Sequence, residues 1–324
     1  MRVGKLNWDD LKYIIDNHKG FKREDVTLSN GIGEDCAVIN FGDYDCVVST
    51  DPVTGAENNI GKIAVHINCN DIASCGVEPV GILVTILAPP SATLEELHNV
   101  MKEIHEETTK LKVQIIGGHT EITEAVNKII VSCTAIGKGG KDKAISTANA
   151  NVEDDIIVTK NLCLEGTSIL VNDYLEKCRE VLAEDEIEEA KGYIANISVV
   201  NEGVIAGEFG VNSMHDITEG GVLGALWELA KASNVGFKVY YEKMPITNIT
   251  KKLCERFQID PLKFISSGSM LITCKNGDKL VSELKECGIH STVIGKITKT
   301  KGILELNGVE KEIQPPEADE LFKL

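Results

Sequence analysis

The stretch GKIAVHINCNDIASCGVEPVGILVTILAPP, residues 61–90, decides the fold class. Its first half, residues 61–75, has helical character despite several Asn residues. Its second half, VGILVTILAP at 80–89, is an apolar run of strand length, rich in branched side chains and stopped by Pro89 and Pro90. A helix feeding a buried strand is the working unit of an α/β protein.

Working outward, the next segment is also helical. Thr93 and Glu96 make a capping box, and Leu94, Leu97, Met101 and Ile104 recur at three- and four-residue steps through 93–110. KVQIIGG at 112–118 and KIIVSCTAIG at 128–137 read as the following strands. Upstream, NWDDLKYIIDNH at 7–18 reads as a short helix capped by Asn7, and DCVVST at 45–50 as a strand ending at Asp51.

The polar, glycine-bearing run 138–151, KGGKDKAISTANAN, is read as the interdomain segment, giving domains 1–145 and 146–324. A second α/β half follows. DDIIVT at 154–159 is a strand, GTSILVNDYLEK at 166–177 a helix, and 184–208 a helix with a break. GGVLGALWELAKAS at 220–233 is an amphipathic helix with Val222, Leu226, Leu229 and Ala230 in phase. SMLITC at 269–274, a helix at 277–287 and STVIGKI at 291–297 close the domain. With 324 residues the chain exceeds the roughly 250–300 at which one core stops growing, so two domains are expected.

The net charge of −17, with no Lys/Arg cluster to interrupt it, argues against nucleic acid and anionic lipid as partners. Ten cysteines form no C-x-x-C pair, and several sit in apolar runs, as small buried hydrophobes of a reducing, cytoplasmic compartment. No apolar stretch is long enough to span a membrane, and MRVGKLNWDD lacks a signal pattern.

Chemistry concentrates at element ends. GIGEDCAVI at 31–39 carries Asp35. STDPVTG carries Asp51. NCNDIA places Asn68 and Asp71 three apart, on one helix face. IIGGHTE puts His119 and Glu121 just beyond a strand and its glycine pair, Gly117 and Gly118. Two like charges 4 Å apart cost about 4 kcal/mol at an effective dielectric of 20. Several such carboxylates gathered together need protons or a cation. Hard oxygen donors with few histidines favour Mg²⁺ over Zn²⁺. In the second half, LCLEGTS at 162–168 and HDITEGGV at 215–222 place glycines before helices. HDITEGGV also offers His215 and Asp216, and Gly220 and Gly221 there suit an anion site, or alternatively a Thr218 cap and a turn. SSGSMLIT at 266–273 sets small residues before a buried strand. His66, His98 and His105 read as ordinary helix residues.

In this order, GIGEDCAVI, TDPV, INCNDIASCGVEP, GGHTE, EGT, HDITEGG and SSGSMLI resemble the aminoimidazole-ribonucleotide (AIR) synthetase, or PurM-like, superfamily over about residues 30–300. That superfamily also holds thiamine-monophosphate kinase, selenophosphate synthetase and the hydrogenase expression/formation protein HypE. HDITEGGVLGAL and SSGSML look most like the HypE branch.

The resemblance implies a two-domain α/β fold with mixed sheets and a homodimer whose N-terminal sheets pair into a β-barrel. It implies ATP and Mg²⁺ as cofactors. Asp35, Asp51 and Asp71 match the Mg²⁺–phosphate residues, and Gly117, Gly118 and His119 the glycine-rich position where many relatives carry an acid. Glu121 is a candidate to supply that charge. Asp216 matches a polar position near the phosphates, and His215 is a candidate acid/base. Phosphoryl transfer from Mg-ATP to an oxygen of a small molecule or carboxamide is the implied chemistry. A HypE-like maturation scaffold and a thiamine-monophosphate kinase are the alternatives. Cyanide-forming HypE proteins present a carboxamide on a terminal cysteine. Here the last cysteine is Cys287 and the sequence closes on PPEADELFKL, so that reaction is not expected in cis. The reactive Cys/Lys loop of a selenophosphate synthetase is not seen either.

Overall fold

In the computed structural model, residues 6, 8–16, 18–29, 31, 33–54, 58–314 and 318–324 are described. The first half runs α1 (Trp8–Asp16), β1 (Val26–Leu28), β2 (Ala37–Asn40), β3 (Tyr44–Val53), α2 (Ile60–Ser74), β4 (Glu78–Ala88), α3 (Leu94–Leu111), β5 (Gln114–Ile122) and β6 (Ile130–Gly140). The second half runs β7 (Asp155–Thr159), α4 (Leu164–Asp173), α5 (Leu175–Cys178), α6 (Glu184–Gly192), α7 (Val200–Phe209), β8 (Ser213–Ile217), α8 (Gly221–Ala232), β9 (Gly236–Tyr240), α9 (Asn248–Phe257), β10 (Ser269–Cys274), α10 (Gly277–Glu286), β11 (Ser291–Thr298), β12 (Gly302–Leu306) and β13 (Val309–Glu312). The expected cap Asn7 lies outside the described residues.

The first sheet has the order β1-β2-β3-β6-β4-β5, antiparallel except for β4 beside β5. The second has the order β13-β12-β9-β11-β7-β10-β8, antiparallel except for β12 beside β9. Both sheets are therefore mixed. Alternation along β6 sends Val131, Cys133 and Ala135 into the core, and the intervening Ser132, Thr134 and Ile136 to the other face. The capping box forms as read. The Glu96 amide donates to Thr93 Oγ1 at 3.2 Å and the Thr93 amide to Glu96 Oε2 at 2.6 Å.

Helix α2 is buried nearly all round, which explains why its sequence lacks a clean polar stripe. One side lies on the first sheet and another meets α7 and β8 of the second half. Asn70 locks that junction. Its Nδ2 donates to Ile197 O at 2.8 Å, and its Oδ1 accepts from the Val199 amide at 2.8 Å. The helices touch closely where Gly203 of α7 faces Ala73. A Cβ on Gly203 would stand 2.1 Å from the Ala73 carbonyl oxygen. Overpacking of this kind typically costs about 1–3 kcal/mol, and backbone that cannot yield puts it near the top of that range. Gly203→Ala is thus expected to lower the urea midpoint by the equivalent of about 2–3 kcal/mol. An unchanged midpoint would show that the crossing is looser than drawn.

The structure revises four expectations. Strand β5 runs on through His119 and Glu121 to Ile122 rather than ending at Gly118. His215 and Asp216, read as lying just before the helix, belong to strand β8. Helix α8 begins after Gly220, whose φ is 85°, and no side chain caps it, so Thr218 is not the cap. Strand β6 also continues to Gly140, into the run read as interdomain.

Candidate active site

The site forms where α2 meets the ends of both sheets. Ser49 and Asp51 alternate onto the α2 side of β3. Ser49 Oγ donates to Asp71 Oδ2 at 2.5 Å. Asn68, one helical turn before Asp71, accepts from the Asp51 amide at 2.8 Å and returns a bond to the Asp51 carbonyl at 3.2 Å. The three-residue spacing read from the sequence thus serves to fix β3 against α2. Cys36 Sγ reaches the Asp71 carbonyl at 3.2 Å, bringing the 33–36 loop with it.

Burial pushes the Asp71 carboxyl far above the usual carboxylate range, and the charges of Asp216, Asp35 and Asp51 push it further. Four aspartates from three separate segments of the first half and from β8 therefore share one field. Asp35 and Asp216 each offer an oxygen, and His215 a ring nitrogen, all within 4.8 Å of one another.

His215 is buried and clamped from both sides. Its Nδ1 lies 2.8 Å from Asp35 Oδ2 and its Nε2 lies 2.9 Å from Glu228 Oε2 on α8. The first contact lacks hydrogen-bond angles and is a Coulombic pair. Burial pulls the imidazole pKa down, but Asp35 and Glu228 outweigh it and hold the ring well above its ordinary value. The loop reaches α8 because Gly33 has φ 74° and its Cβ position would lie 3.2 Å from the Glu228 carbonyl oxygen.

The other sequence candidates lie apart. In sheet register His119 is opposite Thr85, Thr85 opposite Ser132, and Ser132 opposite Pro52. Three inter-strand steps of about 4.8 Å put His119 about 14 Å from the neighbourhood of Asp51. His119 and Glu121 are exposed, 3.5 Å from each other, on the open face of the sheet away from α2. The fold does not bring Glu121 to Asp71. A Cβ on Gly118 would meet the Val84 carbonyl at 1.9 Å, so that glycine serves strand contact. The Gly220 amide, expected to face an anion, donates to Asp319 Oδ2 at 2.6 Å, and Gly221 packs tightly against Leu262. Sequence reading missed Ser49, Glu228 and Asp319. Glu228 had one signal, an acid set among apolar residues of a helix. Asp319 had none.

Two mixed sheets, with a cluster of carboxylates drawn from both halves, define a two-part α/β protein. The chain belongs to the AIR synthase related protein family: its N-terminal domain matches residues 33–138 and its C-terminal domain residues 151–306. A putative hydrogenase expression/formation protein of Methanocaldococcus jannaschii is 31% identical over 316 residues, covering 93% of this chain and 90% of the relative. Among solved structures, the HypE–HypF complex contains a chain that aligns with a TM-score of 0.77 at 20% identity, over 96% of this chain and all of that one. ThiL complexed with AMPPCP and TMP aligns at 0.78 and 19% identity, over 99% of both chains. At these identities the structural likeness shows a shared fold. No helix among the described residues is long and apolar enough to cross a membrane. Eight of the ten cysteines are buried, while Cys46 is half-buried and Cys287 exposed.

Proposed function

We propose that this protein is a Mg-ATP-dependent phosphoryl-transfer enzyme acting on an oxygen of a small molecule or a carboxamide. The observation that carries the reading is Asp71, a buried carboxylate that feels the charges of Asp35, Asp51 and Asp216 together. Such a set of hard oxygen donors fits Mg²⁺, with Asp35, Asp51 and Asp71 as its holders and Asp216 beside them. Bound there, the ion would offset carboxylate repulsion and draw in nucleotide phosphates. The AMPPCP bound to the ThiL neighbour supports the nucleotide.

The chain's own residues do the rest. Ser49 and Asn68 orient Asp71 and the Asp51 backbone. His215 has both ring nitrogens engaged and acts as a strut for Asp35 rather than as a free acid/base. Residues 1–145 and 146–324 are the proposed domains, with the aspartate cluster between them. A second copy is the proposed partner, since the open face of the first sheet shows exposed Tyr44, Val80, Leu83 and Ile116. His119 and Glu121 share that face and would act across the subunit junction.

Isothermal titration with Mg-ATP tests the reading. The wild type is expected to bind, and Asp51→Asn to bind about tenfold or more weakly, the loss expected of one charged ligand contact. No wild-type binding, or equal binding by the variant, would remove it. A maturation partner working by complex formation, as the HypE–HypF neighbour suggests, predicts binding without turnover on any acceptor.

A further inference from the structure

Two buried thiols stand beside the aspartate cluster and take no part in the proposed chemistry. Cys36 is 4% exposed and directly follows Asp35. Cys75 is 3% exposed and closes α2, four residues after Asp71. Both belong to a small apolar cluster with Val38, Val47, Ile72, Val77 and Ala135. The Cys36 thiol donates to the Asp71 carbonyl at 3.2 Å. In a helix that carbonyl points toward the residue four places on, which is Cys75. With φ −87° and ψ 6°, Cys75 has barely left the helical path. The two thiols accordingly lie within hydrogen-bonding reach of each other.

Their contact joins two segments that matter to the site. The loop ending at Cys36 carries Asp35. On one side it is held by Asp35 against His215 at 2.8 Å, by Gly33 against the Glu228 backbone, and by Glu34 hydrogen-bonded to Ser146. On the other side the Cys36 thiol holds it to α2. A bond between the sulfurs turns that contact into a covalent tie and draws residue 36 toward the end of α2. It also ends the Cys36 bond to the Asp71 carbonyl, because a disulfide has no S–H to donate. Asp35 is then pulled against its His215 contact.

We propose that Cys36 and Cys75 form a reversible disulfide that switches the loop carrying Asp35 between two positions. A reducing compartment keeps the pair open, and a peroxide closes it. One sulfur attacks a peroxide oxygen and the O–O bond breaks. The products are a sulfenic acid and one water, which carries off the first thiol proton. The other sulfur attacks the sulfenic sulfur, the S–O bond breaks, and a second water leaves with the second thiol proton. Two electrons pass from the thiols to the peroxide, and a small dithiol restores them by exchange. Seated, the pair is protected, since the bond to Cys75 and then burial keep the Cys36 thiol protonated far above its ordinary range. Oxidation runs through the molecules in which the loop has lifted from α2. The disulfide stands without the phosphoryl-transfer reading, whereas its effect on Mg-ATP rests on that reading.

The test uses the full chain. Wild-type protein free of metal and nucleotide is treated with hydrogen peroxide, its remaining thiols are blocked with iodoacetamide, and it is digested without reductant. Mass spectrometry is expected to find a peptide joining Cys36 to Cys75, two hydrogens lighter than the sum of its parts, and to lose it after dithiothreitol. Isothermal titration should show Mg-ATP affinity falling about tenfold or more on oxidation, as displacement of a carboxylate ligand would cause, and recovering with dithiothreitol. Peroxide-treated Cys75→Ala should keep its affinity. If no Cys36–Cys75 peptide forms, if another pair forms in its place, or if the linked protein binds Mg-ATP as the reduced one does, the inference falls. A linked peptide in a protein whose reduced form binds no Mg-ATP keeps the disulfide and removes the phosphoryl-transfer reading. The wild-type measurements decide even where Cys75→Ala fails to fold.

Discussion

Asp71→Asn is expected to lower Mg-ATP turnover at least about a hundredfold while making the metal-free protein more stable, by about 1–2 kcal/mol at pH 8. Asparagine keeps the shape and keeps an oxygen for the Ser49 hydroxyl, which donates to Asp71 at 2.5 Å. It removes the charge that burial and three neighbouring aspartates oppose. Unfolded, Asp71 releases its proton near 3.8, but folded it holds that proton to a far higher pH. The folded state therefore binds more protons between those two values, and its stability falls as pH rises through that window. Below pH 4 the wild type and the variant should melt alike, because a protonated Asp resembles Asn. Above it the two curves separate, with the variant the higher. Mg²⁺ should raise the wild-type melting temperature and leave the variant's unchanged. Thermal melts across pH, with and without Mg²⁺, plus a phosphate-release assay, check all three parts. A variant less stable than wild type at pH 8, or one that turns over normally, contradicts the account of four aspartates sharing one field.

How much of this was legible in the sequence follows from the range of each interaction. Periodicity is local, so the capping box at Thr93 and the strand VGILVTILAP emerge where they were read. Asn68 and Asp71 share a helix face because 3.6 residues make a turn, and they do work side by side. The gathering of Asp35, Asp51 and Asp71 is not local. It rested on motif order, and the folded chain brings the three into one field. What could not be read is pairing across the chain. Glu228 looked like one acid in an amphipathic helix until β8 placed His215 against it. Asp319 lies 99 residues from Gly220. Nothing near HDITEGG in sequence indicates that its amide is already taken. Glycine pairs misled for a related reason. Gly117 and Gly118 look like a turn, yet they lie inside an edge strand where Gly118 passes too close to Val84 for a side chain.

His215→Ala is expected to destabilise the protein by about 3–5 kcal/mol, the range for breaking one member of a buried charge network. Removing the imidazole leaves Asp35 and Glu228 facing each other across a cavity, one at 2.8 Å and the other at 2.9 Å from the lost nitrogens. The ring's raised pKa means that it carries positive charge there, so the loss is of charge balance as well as volume. If the three groups act as a unit, His215→Ala and Glu228→Gln are not additive. The double variant should be less destabilised than the sum of the singles by at least about 1 kcal/mol, as a urea double-mutant cycle measures. Turnover should fall along with stability, because Asp35 loses the contact that aims it at Asp71 and Asp216. A proton-transfer catalyst behaves differently. Its removal lowers turnover and leaves the unfolding midpoint nearly unmoved. A loss of stability below about 1 kcal/mol, the scale of an exposed ion pair, would therefore return His215 to the acid/base role that the sequence suggested.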